Sequence, residues 1–84
     1  MHYVYVLQSE VDARFYTGCT GNLRKRLQEH NGAKVVSTRG RGPLTLVYYE
    51  ACLNEQDAFR REKYLKTTYG KRYLRVRCKN YFTG

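Results

Sequence analysis

The pattern of apolar and polar positions along the chain predicts three β-strands. His2–Leu7 and Arg14–Cys19 are short runs rich in β-branched and aromatic residues, separated by the polar stretch Gln8–Ala13. This arrangement predicts an antiparallel hairpin with a long connection. Leu44–Cys52 is the most strand-like run in the chain, which predicts that it forms the central strand.

Three helices are predicted from capping signals and from apolar residues at helical spacing. Leu23–His30 lies between a Thr-Gly-Asn capping signal and an Asn-Gly stop, and Glu55–Lys66 follows Asn54 as an N-cap. Tyr69–Asn80 alternates apolar and basic residues as an amphipathic helix does. The order β-β-α-β-α-α predicts one α+β domain over residues 1–84, with a small three-stranded antiparallel sheet flanked by helices.

Composition and charge indicate a small globular protein that binds polyanions. A chain of 84 residues, 42% hydrophobic with 9 Tyr and 3 Phe, has enough apolar side chains for one compact core. Sixteen Lys and Arg against seven Asp and Glu give a net charge of +9 and a pI of about 9.8. The positive electrostatic field of a chain with this charge favours nucleic acid as a binding partner, because the phosphates release counterions on binding. The simpler alternative is a solvated basic surface.

The three cysteines and the absence of long apolar runs bear on the compartment. Cys19, Cys52 and Cys78 are odd in number and lack the close spacing of zinc or redox motifs. They predict reduced, mostly buried thiols in a cytoplasmic protein. The chain begins directly with strand-like residues and has no 18-residue apolar run, so we expect neither secretion nor membrane insertion.

Several polar residues occupy positions that suggest chemistry. Arg26 and His30 are four residues apart, at the margin of the apolar face of the first helix. Glu62 falls on the apolar stripe of the second helix, where a carboxylate is costly unless it is paired or binds metal. Two of these residues also have a structural interpretation: an ion pair with an arginine for Glu62, and a helix-end interaction for His30.

Two tripeptides, Tyr3-Val4-Tyr5 and Tyr16-Thr17-Gly18, resemble the paired "GIY" and "YIG" strands of the GIY-YIG nuclease family. The resemblance covers roughly residues 2–66. Within the family, the chain closely resembles the small stand-alone branch, which is related to the N-terminal nuclease domain of UvrC. It departs from the pattern at Tyr3, where the family has Gly, and at Thr17, where it has Ile. The remaining matches are Gly21-Asn22-Leu23, Arg26, His30, the Lys34–Pro43 loop and Glu62.

The resemblance implies an endonuclease that hydrolyses phosphodiester bonds with one divalent metal. Glu62 would be the sole protein carboxylate on Mg²⁺ or Mn²⁺, and Arg26 would hold the non-bridging phosphate oxygens. Tyr5 would act as general base or position the attacking water, with its pKa lowered by Arg26 and the metal. Tyr16 would hold water or phosphate, and His30 would relay a proton or contact phosphate. Taken singly, both tyrosines are more typical of core residues.

Residues 33–43 form a predicted flexible basic loop, in which Lys34, Arg39 and Arg41 would contact a nucleic-acid backbone. The basic residues of the last helix would do the same.

DNA is favoured over RNA as the substrate, in repair or recombination, and we expect cutting that is structure-selective or weakly sequence-specific. The alternatives are a non-catalytic nucleic-acid-binding module and a basic protein–protein or ribosome-associated module. The oligomeric state stays open.

Overall fold

The computed structural model describes residues 1–83 as a three-stranded antiparallel sheet with helices packed on both of its faces. This is the predicted α+β fold. The elements, in chain order, are β1 His2–Ser9, β2 Phe15–Thr20, α1 Leu23–Asn31, a short 3-10 helix Val36–Thr38, β3 Leu44–Cys52, α2 Glu55–Leu65, α3 Thr68–Arg77 and α4 Lys79–Thr83.

The strand order is β2-β1-β3, so β1 is the central strand and the prediction that Leu44–Cys52 is central was wrong. β1 pairs antiparallel with β2, which places Tyr5 opposite Gly18, and antiparallel with β3, which places Tyr5 opposite Tyr49. Four consecutive residues of β1, Val4–Leu7, are buried, because helices cover both faces of the sheet there. β3 lies at an edge and leaves alternate residues exposed.

The two faces of the sheet carry separate hydrophobic clusters. On one face, Val4 and Val6 pack against Ala58 and Leu65 of α2 and Leu74 of α3. On the other face, Tyr5 and Leu7 pack with Leu44, and Leu23 and Leu27 of α1 cover them. The side chains of β1 therefore alternate between the two helical layers, as period-two geometry requires.

Asparagine caps start the first two helices: Asn54 caps α2 as predicted, and Asn22, one of two candidates with Thr20, caps α1. The side chain of Asn22 accepts a hydrogen bond from the Lys25 amide, and that of Asn54 accepts from the amides of Gln56 and Asp57. These bonds satisfy amides that have no partner within the helix. The caps fix where α1 and α2 begin, and therefore which side chains face the sheet.

The predicted single helix Tyr69–Asn80 was wrong in its bounds, because the helix breaks at Cys78 and continues as the short α4. After the break, the ring of Phe82 packs edge-to-face on Phe15 of β2 at 5.3 Å between centroids. The hydroxyl of Tyr81 donates to the side-chain oxygen of Gln8 at 2.6 Å. The change of direction thus returns the end of the chain to the sheet.

The basic loop 33–43, which was predicted to be flexible, is anchored at several points. It contains a turn of 3-10 helix, and its Thr38 is 1% exposed. The hydroxyl of Ser9 donates to the carbonyl of Arg41 at 2.5 Å, and the amide of Leu44 donates to the side-chain oxygen of Asn31 at 2.8 Å. These contacts attach the segment that follows the 3-10 turn to β1 and α1.

Cys19, Cys52 and Cys78 are free thiols of intermediate burial, and Cys19 and Cys52 pack against the core, which agrees with the prediction of reduced, mostly buried thiols. Within residues 1–83, no helix has the length and apolar character needed to cross a membrane.

Candidate active site

The hydroxyl of Tyr5 lies at the centre of a small polar cluster beneath α1. It is 2.8 Å from Nε2 of His30, and Nε of Arg26 donates to it at 3.4 Å. The Tyr5 side chain is 2% exposed, so the phenol ring belongs to the core while its hydroxyl reaches the cluster. The spacing of Arg26 and His30 by one helical turn brings both groups to the same atom.

His30 is held by contacts on both ring nitrogens. Its Nδ1 is 2.8 Å from the hydroxyl of Thr38, and the residue is 5% exposed. Burial, helped by the positive charge of Arg26, lowers the pKa of His30 below its ordinary value. The imidazole is therefore neutral near pH 7 and can act as a proton acceptor. Thr38 had not been predicted, because no sequence pattern marks a threonine that orients a distant histidine.

Gly18 makes room for the Tyr5 hydroxyl. A Cβ atom at Gly18 would lie 2.4 Å from that oxygen and 2.5 Å from Cζ of the same ring. Gly18 pairs directly with Tyr5 across the β1–β2 ladder, so any larger residue there would occupy the position of the phenol. Close packing is therefore the role that the structure gives to this glycine.

The electrostatics of Tyr5 differ from the prediction. Burial raises the pKa of Tyr5 above its ordinary value, and the hydrogen bond and positive charge of Arg26 oppose this rise without overcoming it. The predicted lowering was therefore wrong for the protein without metal, because desolvation of the phenolate outweighs one half-exposed guanidinium. Tyr5 is a neutral phenol that can donate its proton.

Tyr16 lies opposite Leu7 on β2, and its hydroxyl has a hydrogen-bond partner outside the Tyr5 cluster. It donates to the carboxylate of Asp12 at 3.3 Å, and the same carboxylate oxygen pairs with Nε of Arg41 at 3.3 Å. The backbone amide of Arg14, followed by other hydrogen bonds, lowers the pKa of Asp12. Asp12 was missed in the sequence, where only its place in a polar turn marks it.

A cavity of about 560 Å³ brings the predicted residues together. Five consecutive residues of the edge strand β2, Phe15–Cys19, line it, and neighbouring residues of a strand point to opposite faces. The cavity therefore reaches both faces of the sheet at this edge. The predicted catalytic residues in its lining are Tyr5, Tyr16, Arg26, His30 and Glu62.

Glu62 faces this cavity from α2, on the side of the sheet opposite α1. Its side chain is 21% exposed and its carboxylate pairs with Nζ of Lys66, one turn later, at 2.9 Å. The residue is thus half-buried, as a carboxylate at the margin of an apolar face can be. The ion pair is with a lysine rather than an arginine.

The donor set around Glu62 fits a hard divalent cation that keeps most of its waters. Mg²⁺ is commonly held by one or two carboxylates together with substrate phosphates, and Glu62 supplies one carboxylate in an open cavity. Within the described part of the chain, no three His, Cys, Asp or Glu side chains converge as a cage. Any ion at this position would be bound mainly by water and phosphate.

The basic residues predicted to contact a nucleic-acid backbone fall into two groups. In the loop, Lys34 and Arg39 are exposed, whereas Arg41 is engaged by Asp12. On α3, Lys71 and Arg75 line the cavity. The sequence did not separate them from the other cations of the same helix.

The chain matches the family model described as the GIY-YIG catalytic domain over residues 1–75. It therefore belongs to the GIY-YIG family, whose members are nucleases that generally use divalent metals and act on nucleic acid. The predicted membership is confirmed.

The relatives are small UPF0213 proteins. One from Clostridium perfringens is 49% identical over 67 residues, covering 79% of this chain and 71% of the relative. One from Halobacterium salinarum is 44% identical over 69 residues, covering 79% of this chain and 86% of the relative. The NMR structure of a UPF0213 protein from Bacillus halodurans is similar, with a TM-score of 0.55 and 37% identity, covering 87% of this chain and 80% of that one.

Proposed function

We propose that this protein is a metal-dependent endonuclease that hydrolyses phosphodiester bonds of nucleic acid, with DNA favoured as the substrate. One observation carries the proposal: the Tyr5 hydroxyl contacts both Arg26 and His30 inside a cavity that Glu62 also lines. A proton donor and acceptor, a fixed cation and a carboxylate that can hold a metal are groups able to catalyse phosphodiester hydrolysis.

His30 is the final acceptor of the proton that the attacking water loses. When Nδ1–H donates to the Thr38 hydroxyl, Nε2 is unprotonated and accepts the hydrogen bond of the Tyr5 hydroxyl. As water attacks phosphorus, Tyr5 takes a proton from that water and passes its own proton to Nε2. The bond between phosphorus and the 3′-oxygen breaks, and that oxygen takes a proton from solvent. A raised pKa of Tyr5 is compatible with this relay, because no free phenolate is needed.

Arg26 stabilises the negative charge that builds on the phosphate. Its guanidinium is held by Glu29 through Nη1 at 3.2 Å and by the Tyr5 hydroxyl through Nε, which leaves further N–H groups for the phosphate oxygens. Tyr16 lines the same cavity and orders water or phosphate after its hydroxyl turns from Asp12.

Glu62 would hold Mg²⁺ or Mn²⁺. When bound, the metal supplies charge stabilisation at the leaving oxygen and at phosphorus. Lys66 neutralises the Glu62 carboxylate in the protein without metal, so this side chain has to move aside when a cation binds.

The second candidate function is a nucleic-acid-binding module without catalysis. The ion pair of Glu62 with Lys66 supports it, because that bond satisfies the carboxylate without any metal. The two functions predict different responses to metal removal and to changes of Tyr5.

The test is cleavage of labelled single-stranded, duplex, flap and branched DNA, and of RNA, in Mg²⁺, Mn²⁺ or EDTA. Glu62→Gln and Tyr5→Phe are compared with Tyr49→Phe, a tyrosine that is 53% exposed and lies outside the cavity. We expect metal-dependent cutting that both site variants lose and the control keeps. Binding without cutting in every metal would instead support the binding module.

A further inference from the structure

Phe59 is an exposed aromatic residue beside the candidate metal ligand. It lies on α2 three residues before Glu62, on the same face of the helix, and it lines the same cavity. Its side chain is 43% exposed, and the two core clusters of the described residues are built without it. An apolar ring in this position contributes little to the core and is free to contact a ligand.

The same cavity has a basic wall. Lys71 and Arg75 line it from α3, where their spacing of four residues places them on one side of the helix. Phe15 and Phe82, packed edge-to-face at 5.3 Å, form another part of the wall. Cations and aromatic faces together are the lining that single nucleotides prefer, since the cations attract phosphate and every base has a face that stacks.

The size of the cavity supports a ligand larger than a phosphate group. About 560 Å³ falls within the range of roughly 300–1,000 Å³ of pockets that enclose small organic ligands. The proposed reaction at Tyr5 and Glu62 uses only the polar end of the cavity. The apolar remainder needs a flat, weakly polar partner, and the part of a nucleic acid with that character is the base.

We propose that this cavity is a base-binding subsite, in which Phe59 stacks on one unpaired nucleobase next to the scissile phosphate while Lys71 and Arg75 hold a neighbouring phosphate. The inference rests on the proposed nuclease function and names its substrate class. Bases inside a duplex are stacked and paired, so only an unpaired or extruded base can enter. The substrate is therefore a strand with at least one unpaired nucleotide at the cut.

Binding is tested without cleavage, in EDTA. The probes are oligonucleotides with a single 2-aminopurine, either in a single strand or as a one-nucleotide bulge, moved one position at a time across the cut. We expect stacking to quench the fluorescence at one position only. Phe59→Ala should remove this quenching and weaken binding about 5- to 20-fold, within the range for losing one aromatic stacking contact. Tyr69→Ala is the control, because Tyr69 is 69% exposed on α3 and lies outside the cavity lining.

Cleavage provides the second readout. Removing the base at the quenched position, by placing an abasic residue there, should slow cutting by the unaltered protein about as much as Phe59→Ala does. The same abasic strand should be cut by Phe59→Ala with little further loss, because the two changes remove one contact. Phe59→Leu distinguishes stacking from general apolar contact, and we expect it to behave like alanine.

The two proposals fail in different ways. Cutting that is metal-dependent but indifferent to Phe59→Ala and to the abasic position would overturn the base subsite and leave the nuclease. Quenching that depends on Phe59 without cutting in any metal would support the subsite and overturn the nuclease. A protein that binds no oligonucleotide would overturn both.

Discussion

Replacing Gly18 with alanine should remove activity while leaving the protein folded. The added Cβ would lie 2.4 Å from the Tyr5 hydroxyl oxygen, whereas ordinary contacts of a Cβ begin near 3.4 Å. The hydroxyl must therefore move by about 1 Å. It cannot rotate freely out of the way, because the Tyr5 side chain is 2% exposed and bonded to His30 at 2.8 Å.

The size of the effect follows from that displacement. A misplacement of about 1 Å at a reacting group costs about 100-fold in rate, which corresponds to about 2.7 kcal/mol of activation free energy. The cost in stability is smaller. Overpacking costs about 1–3 kcal/mol, and the lower chain entropy of alanine in the unfolded state returns about 0.4–1 kcal/mol. We expect a net loss of about 1–2 kcal/mol in the free energy of unfolding.

The assay compares single-turnover cleavage by Gly18→Ala with that by Gly21→Ala, and denaturant unfolding is measured on both variants. A Cβ at Gly21 has nothing within 4 Å, so this variant is a matched control and should keep its rate. In a Tyr5→Phe background, Gly18→Ala should lower the cleavage rate little further, because the reacting hydroxyl is already absent. A folded Gly18→Ala protein that cuts within about threefold of the unaltered rate would refute the reasoning, since ~1 Å is expected to matter far more.

Three further predictions concern stability, metal affinity and pH. Arg61→Ala should lower the free energy of unfolding by about 2–3 kcal/mol, because it removes a bidentate carboxylate pair and two cation–π contacts; denaturant titration measures this. Lys66→Ala should tighten Mn²⁺ binding about 2- to 5-fold by calorimetry, because it frees the Glu62 carboxylate from a partly exposed ion pair. The cleavage rate should stay unchanged as pH falls to about 6.5, the ordinary pKa of histidine, and should decline only below that pH. The reason is that the lowered pKa of His30 keeps this proton acceptor neutral. A profile of kcat/KM against pH measures this.

The first of these predictions has a matched control, and each of the three has an outcome that would contradict it. Arg60→Ala removes only an exposed pair with Asp57 at 3.5 Å, so its stability should change by less than about 0.5 kcal/mol. An Arg61→Ala loss no greater than this would contradict the first prediction. Unchanged or weaker Mn²⁺ binding in Lys66→Ala would contradict the second. An acidic limb of the rate centred above pH 7 would contradict the third, since a lowered pKa cannot produce it.

The local elements and the candidate residues were predictable because their signals are local. The cap and the apolar periodicity of α1 placed Arg26 and His30 on one turn of helix, and the residues of the hairpin placed Tyr5 and Tyr16 on adjacent strands. The inward position of Glu62 also followed from helical spacing. The structure brings these residues to one cavity with Tyr5 and Tyr16, and their catalytic roles stay predictions.

Strand order and electrostatic balance were not predictable in the same way. Periodicity says which side chains share a face, but not which strand lies between the other two. The continuous apolar run Val4–Leu7 was a signal for a strand buried on both faces, yet Leu44–Cys52 is longer and equally β-prone. The pKa direction of Tyr5 depends on how deeply the phenol is buried against one arginine, which is a property of packing. The same holds for Thr38 and Asp12, whose partners lie on other elements.

The position of Glu62 depends on its neighbour in sequence, Arg61. Nε and Nη2 of Arg61 donate to both carboxylate oxygens of Glu50 on β3, at 2.8–3.1 Å, and its guanidinium lies over the rings of Tyr64 and Tyr73. Because adjacent residues of a helix point about 100° apart, fixing Arg61 against β3 also fixes the rotation of α2 that aims Glu62 at the cavity. The hydroxyl of Tyr5, in contrast, is placed by the central strand and by α1. The carboxylate and the phenol are therefore positioned by separate layers, one on each side of the sheet, and both line the cavity at the edge of β2, where Gly18, which has no side chain, makes room for the Tyr5 hydroxyl.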